Sequence, residues 1–284
     1  MRVFHEIRRP LDDSPLGLTA IQTRTLTYMA HWHHDIELIL VAGGEIPVGI
    51  GGKIRRMKQG DLAIVGSGDI HFYEGDPDEC DIHILIFPPQ LLGQGRWPVG
   101  HRFRTPFFTE HPCFDPGCAS RVSPDDMAAL RKLFLDIVAE ASERDSAHED
   151  MLKGRVHLFC GSAARLLPID AANPADEKRR LDQNMRIRQA MEWLEDNFKT
   201  DVTLGKLSRQ MNTSYHHMSR LFGETVGTPF KQHLSLLRIN EADRMLSGST
   251  LSITEIALHC GFNSLRTFNR VYRSIRGQAP SVGR

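Results

Sequence analysis

Three histidines and a glutamate carry the first chemistry in this 284-residue chain: His31-x-His33-x3-Glu37, with His71 further on. Imidazole nitrogens and a carboxylate oxygen suit a divalent transition metal. The same groups, with the indole of Trp32, could also hydrogen-bond and stack against a polar organic molecule such as a sugar. Positions 31, 33 and 37 share parity, so a regular strand would turn all three to one face, with His71 joining from a neighbouring strand. Trp97 is a second candidate stacking platform. An organic-ligand pocket without metal, a metal pocket and a purely structural polar cluster all stay open at this point.

A second chemistry lies near the C-terminus, where the chain echoes itself. Met218-Ser219-Arg220-Leu221-Phe222 precedes Gly227, and fifty positions later Phe268-Asn269-Arg270-Val271-Tyr272 precedes Gly277. Arg and Asn pair bidentately with guanine and adenine edges in a major groove. The candidate DNA contacts are His216, His217, Ser219 and Arg220 in the first copy, and Arg266, Thr267, Asn269 and Arg270 in the second.

Each copy must be helix, tight turn, helix to present such side chains. In the second, Ser252 and Glu255 form a capping box, and Ile253, Ile256 and Ala257 give an apolar face. Gly261 can take the positive φ of a turn, and Asn263 or Ser264 can cap the next helix. Leu265, Phe268, Val271 and Tyr272 then form its core side. In the first, Asp201 or Thr203 caps a helix packed by Leu204, Leu207 and Met211. Asn212 stands at the turn, and Ser214 caps the helix whose inner side is Met218, Leu221 and Phe222. Pro229 opens a long helix, buried through Phe230, Leu234, Leu237, Ile239, Ala242 and Leu246, that spaces the two units.

Upstream, residues 18–90 read as short strands with glycine turns, implying an all-β sandwich or barrel. The expected strands are 18–28, 36–42, 46–50, 53–57, 62–65 and 82–87, with Gly43-Gly44 as one of the turns. Ser123-Pro124-Asp125-Asp126 starts a helix with the stripe Leu130, Leu133, Phe134, Ile137, Val138 and Ala141. Leu152, Val156, Phe159, Ala163, Leu166 and Leu167 form another. A stripe does not name its partner, so these helices pack either on their own barrel or on a second subunit. Residues 168–180 are polar, contain Pro174 and read as linker. Ile187, Met191, Trp193, Leu194 and Phe198 begin the next domain.

Bulk composition is neutral, with 35 basic and 35 acidic residues, but its distribution is not. Residues 186–284 hold 14 Lys/Arg against 8 Asp/Glu, a formal +6, and residues 1–90 hold 8 against 13, a formal −5. Basic charge gathers where phosphates would be met. Five scattered cysteines argue against a disulfide framework and for a reducing cytosol. Cys113-x4-Cys118 is a weak metal spacing. No signal-peptide core opens the chain, and no stretch reaches the roughly 20 apolar residues of a membrane span.

The C-terminal hundred residues resemble the DNA-binding domain of AraC/XylS-family transcription regulators. The resemblance rests on Ser219-Arg220-Leu221-Phe222, Arg238 with Ala242 and Leu246, Ile256-Ala257-x3-Gly261-Phe262, Phe268-x-Arg270-Val271-Tyr272-Arg273 and Gly277-x2-Pro280. The histidine–glutamate stretch, with Gly60-x5-Gly66-x-Gly68-x2-His71, resembles the two motifs of the cupin barrel found in sensor domains of such regulators. The resemblance implies an α+β, two-domain chain: a cupin-like effector-sensing barrel (1–122), a helical dimerisation region (123–167), a linker (168–185) and a double helix-turn-helix domain (186–284). It further implies a cytoplasmic homodimeric regulator that binds double-stranded promoter DNA and a small effector, carbohydrate-like in chemistry. No cofactor is required, although His31, His33, Glu37 and His71 could hold a divalent metal. The rival reading is a metal-dependent cupin enzyme, an isomerase or dioxygenase, fused to a DNA-binding domain.

Overall fold

Alternation along one strand organises the N-terminal half. In Ile36–Ile50, Leu38 and Leu40 turn to one apolar cluster and Ile39 and Val41 to another, and all four are buried. A strand apolar on both faces needs cover on both. The computed structural model describes residues 16–24, 27–74, 80–93, 102–103, 105–112, 119–142, 146–170 and 174–282. Trp97, Cys113 and Cys118 lie outside them. The chain divides into two compact units, which among the described residues are 16–184 and 185–282.

The strands are β1 (Thr19–Thr23), β2 (Thr27–His31), β3 (Ile36–Ile50), β4 (Lys53–Lys58), β5 (Leu62–Val65), β6 (His71–Glu74), β7 (Cys80–Phe87), β8 (Arg102–Phe103), β9 (Phe107–Thr109), β10 (Ala119–Arg121) and β11 (Ile169–Asp170). The first half of β3 pairs with β5 and β7, and its second half with β4 and β6, all antiparallel. Thus β3 belongs to both layers of the sheet. The Gly43-Gly44 pair, expected to end a strand, instead sits at a register shift against β7 within one continuous 15-residue strand. Glycines inside a strand often mark such a bulge rather than a turn. The single expected strand at 18–28 is split into β1 and β2.

Helices α1 (Pro124–Ser142) and α2 (His148–Leu166) cover the outer face of this sheet. Met127, Leu130, Phe134, Ile137, Leu152, Val156 and Phe159 share one core with Leu38, Leu40, Leu62, Leu85, Phe87 and Phe108. The two apolar stripes are therefore used within the subunit, against the sheet of their own barrel. The region expected to be a linker also differs. Helix α3 (Pro174–Asn197) runs through most of 168–185. Proline suits the first turn of a helix, where no N–H is needed, and here it starts one rather than breaking it.

The C-terminal unit follows its local signals closely. Its helices are α4 (Leu204–Gln210), α5 (Tyr215–Val226), α6 (Phe230–Gly248), α7 (Ile253–His259) and α8 (Leu265–Arg276). Thr203, Ser214, Ser252 and Ser264 each accept a backbone N–H three residues on, and Ser252 with Glu255 completes the capping box. Asn212 takes the left-handed conformation at φ 48°, in the role that Gly261 plays in the second unit at φ 83°. Helix α6 is buried at all six expected positions and also at His233, whose ring lies edge-on to Phe222 at 5.3 Å.

Two consequences can be measured. Burial pushes the His233 imidazole down to about 3, whereas an unfolded histidine titrates near 6.5. Below that pH the unfolded chain binds a proton the folded unit refuses, so His233 removes stability progressively as pH falls from 6.5 toward 3. Unfolding curves at pH 7 and 5 should show a larger loss for the wild type than for His233→Gln; equal losses would exclude this origin. Second, a Cβ on Gly261 would sit 2.8 Å from the carbonyl oxygens of Phe198 and Lys199, while one on Gly277, at φ 72°, meets nothing within 4 Å. Gly277→Ala should cost about 1 kcal/mol through backbone strain, and Gly261→Ala at least about twice that, in chemical unfolding of the C-terminal unit.

Candidate functional site

The second helix of each helix-turn-helix unit buries one face and exposes the other. In α5, Met218, Leu221 and Phe222 are buried, His216, Ser219 and Arg220 are exposed and His217 is half-buried. In α8, Phe268 and Tyr272 are buried, Arg266, Thr267, Arg270 and Arg273 are exposed and Asn269 is half-buried. Thr267 also belongs to the helix start: its N–H donates to Ser264 Oγ, and its hydroxyl lies 3.0 Å from that atom. Leu265, expected on the core side, is exposed. It is the first residue of α8, one turn before Phe268, the first side chain to reach the core.

Not every arginine in this unit is without an internal partner. Arg238 donates to the carbonyls of Phe198 and Thr200, both at 2.8 Å, and lies over the Phe262 ring. Arg276 pairs with Asp243 at 2.8 Å, and Tyr272 donates to the same carboxylate. These tie α6 to its neighbours. What remains outward is asymmetric: α8 carries Arg266, Arg270 and Arg273, whereas α5 carries Arg220 with Glu224 close behind.

In the N-terminal unit the structure brings His31, His33, Glu37 and His71 together, though not by the expected route. His31 ends β2 and stands opposite His71, the first residue of β6. His33 lies in the following turn, held by Gly68 N–H donating to its carbonyl at 2.7 Å. Glu37 belongs to β3, on the side of Ile39 and Val41. The shared parity of 31, 33 and 37 thus spans a corner rather than one strand. The imidazole centroids are 4.0 Å apart for His31–His71, 4.9 Å for His33–His71 and 5.9 Å for His31–His33. Trp32 is buried edge-on to His34.

All four side chains are buried. Glu37 Oε2 lies 2.9 Å from His33 Nε2 and 3.3 Å from His71 Nε2, and its Oε1 accepts the hydroxyl of Tyr73. Burial works to raise the Glu37 carboxyl, but the His33 and His71 imidazoles outweigh it and hold the carboxyl well below its usual range. Burial, and then His71, push His31 well below 6.5. Sequence reasoning missed Tyr73, although it shares parity with His71 on β6 and so faces the same interior. It also missed Asn184. This buried residue of α3 donates to the Asp69 carboxylate at 3.3 Å, and the Asp69 carbonyl accepts from His71 Nδ1 at 2.9 Å.

Comparison with known proteins assigns a family to each half of the chain. Residues 16–157 match the AraC-like ligand binding domain and residues 207–284 a helix-turn-helix domain. The transcriptional activator RhaS of Klebsiella pneumoniae is 24% identical over 244 residues, covering 85% of this chain and 82% of RhaS. An uncharacterised helix-turn-helix regulator of Staphylococcus aureus is 34% identical over 95 residues, which are 34% of this chain and 13% of that protein. Among solved structures, unsaturated-fatty-acid-bound ToxT of Vibrio cholerae is similar over 93% of both chains at 14% identity and TM-score 0.41. With a ligand-binding domain of this type across half its length and a helix-turn-helix domain after it, the chain belongs to the AraC family of ligand-responsive transcriptional regulators.

Proposed function

We propose that this protein reads promoter DNA with α5 and α8 as a cytoplasmic homodimer, under control of a small ligand taken up by the barrel. The observation that carries the reading is the pair of outward helix faces, Arg220 with His216 and Ser219, and Arg266 with Asn269 and Arg270, repeated in the same frame fifty residues apart. Side chains of this kind at the start of a second helix meet base edges, while further basic residues meet phosphates. The closed cluster argues for sensing rather than for isomerase or dioxygenase catalysis, because Glu37 is engaged by Tyr73 and His33 instead of facing a substrate position. A carbohydrate effector has no gap between rings 4.0 Å apart, so it would have to bind beside the cluster or part it.

A homodimer is supported by the outer face of α2. Met151 and Leu158 are exposed one heptad apart, and at Gly154 and Gly161, on the same face, a Cβ would meet nothing within 4 Å. That is the spacing of a helix–helix seam, with small residues permitting close approach. Coupling of barrel to reader has a support too. Asp69 joins His71 to Asn184, and Asn184 lies in the helix that continues into the DNA-binding unit.

Each part has its measurement. On an operator selected from random DNA, Arg266→Ala should cost about 1–3 kcal/mol and relax choice at one base position. A uniform loss across all base substitutions would refute base contact. Residues 186–284 alone should bind that operator at least about tenfold more weakly than the full chain at matched salt, because a dimer presents its second reader at a raised effective concentration. Equal affinity would remove the dimer from the account. Asn184→Ala should leave basal DNA binding intact and shrink the effector's influence on it, and an unchanged response would show that coupling runs elsewhere.

A further inference from the structure

We infer that Tyr215 and Leu265 are specificity residues for thymine, each packing on the 5-methyl group of a thymine in the major groove, one in each of the two sub-sites. The two residues hold the same place in the repeat, fifty positions apart. Each follows a capping serine, Ser214 or Ser264, and is the first residue of its helix, α5 or α8. Both side chains are exposed, Tyr215 at 54% and Leu265 at 37%. One exposed apolar side chain needs no explanation. The same exposure at the same position of both copies does.

Neither residue joins the buried face of its helix, which begins at Met218 in α5 and at Phe268 in α8. A hydrophobic staple would not use them either. It joins the residue before the cap to the fourth helical position, and the residues before these caps are polar, Thr213 and Asn263. The Tyr215 ring meets the His216 ring edge-on at 5.8 Å, a contact between two exposed side chains.

Placement determines what they meet. Side chains on a helix lean toward its N-terminus, so the first residue covers the tip. The N-terminal end of a second helix is the part that reaches base edges. One turn on, at the spacing of surface neighbours, stand Ser219 and Asn269. Arg220, Arg266 and Arg270 are exposed on the same helices and favour a polyanion. On the floor of the major groove the apolar group on offer is the thymine methyl. A protein partner fits less well, because protein interfaces are depleted of charge at their core. Here each apolar side chain stands directly beside His216 or Arg266.

This rests on the reading of α5 and α8 as DNA readers and deepens it. Uracil is thymine without the methyl and keeps every hydrogen-bonding group, so it isolates the contact. Full-length protein is titrated with its selected operator, in which thymines are replaced by uracil one at a time. Two thymines, about one helical turn apart, should each weaken binding about fourfold on replacement, the worth of burying one methyl group. Leu265→Ala should erase the uracil effect at one of them and keep it at the other, and Tyr215→Ala should do the reverse. Both variants should melt like the wild type, since the serine caps are untouched, and the scan on the wild type needs no variant at all. Uracil tolerated at every position by the wild type would overturn the inference, as would uracil effects that survive both substitutions. A protein that selects no operator from random DNA would overturn the reading of α5 and α8 themselves, which is a separate failure.

Discussion

A carboxylate sealed among apolar side chains is the constraint around which the N-terminal half is arranged. Glu37 stands on the face of β3 that carries Ile39 and Val41, opposite Val65 of β5 and Ile86 of β7. Removing such a charge from water costs several kcal/mol even after relaxation. The cost is offset only where partners are already in place. The strands supply them: β6 brings His71 and Tyr73, the end of β2 brings His31, and the corner before β3 brings His33. A one-residue slip of any of these strands would turn its contribution to the opposite face. The register of the sheet and the composition of the cluster are therefore one requirement. The opposite face of β3, with Leu38 and Leu40, needs its own cover, and α1 and α2 provide it.

The C-terminal unit is held differently. Its elements are short, and each is specified by its own ends: a hydroxyl cap at the start of α4, α5, α7 and α8, and a left-handed residue at Asn212, Gly227, Gly261 and Gly277. Helix α6 then binds them together through a few polar anchors. Arg238 reaches the carbonyls that follow α3, and Asp243 holds Tyr272 and Arg276 of α8. Arginines thus divide by task. Those that satisfy carbonyls or carboxylates fix the geometry of the helix-turn-helix pair, and Arg220, Arg266 and Arg270 stand exposed.

This difference explains what could be read from the residues alone. Caps and turns are local, so Ser252 with Glu255, Ser264, Asn212 and Gly261 announced the helix-turn-helix units directly. The four members of the barrel cluster were also legible, but parity on one strand was the wrong reason. A corner between β2 and β3 can satisfy the same parity, and only pairing with β6 reveals it. Gly43-Gly44 was misread because a bulge and a turn use the same residue. Pro174 was misread because proline both breaks helices and begins them. The destination of the α1 and α2 stripes, like the contact of Asn184 with Asp69, depends on which surface comes to meet them, and no local pattern states that.

The central claim is that one chain reads two neighbouring turns of the same DNA face. Hydroxyl-radical footprinting of a single C-terminal unit on its selected operator tests it most directly. The account predicts two protected patches about 10–10.5 bp apart on one face of the duplex, one fading when α5 is altered at Arg220 and the other when α8 is altered at Arg270. A single patch, sensitive to only one of the two helices, would contradict it.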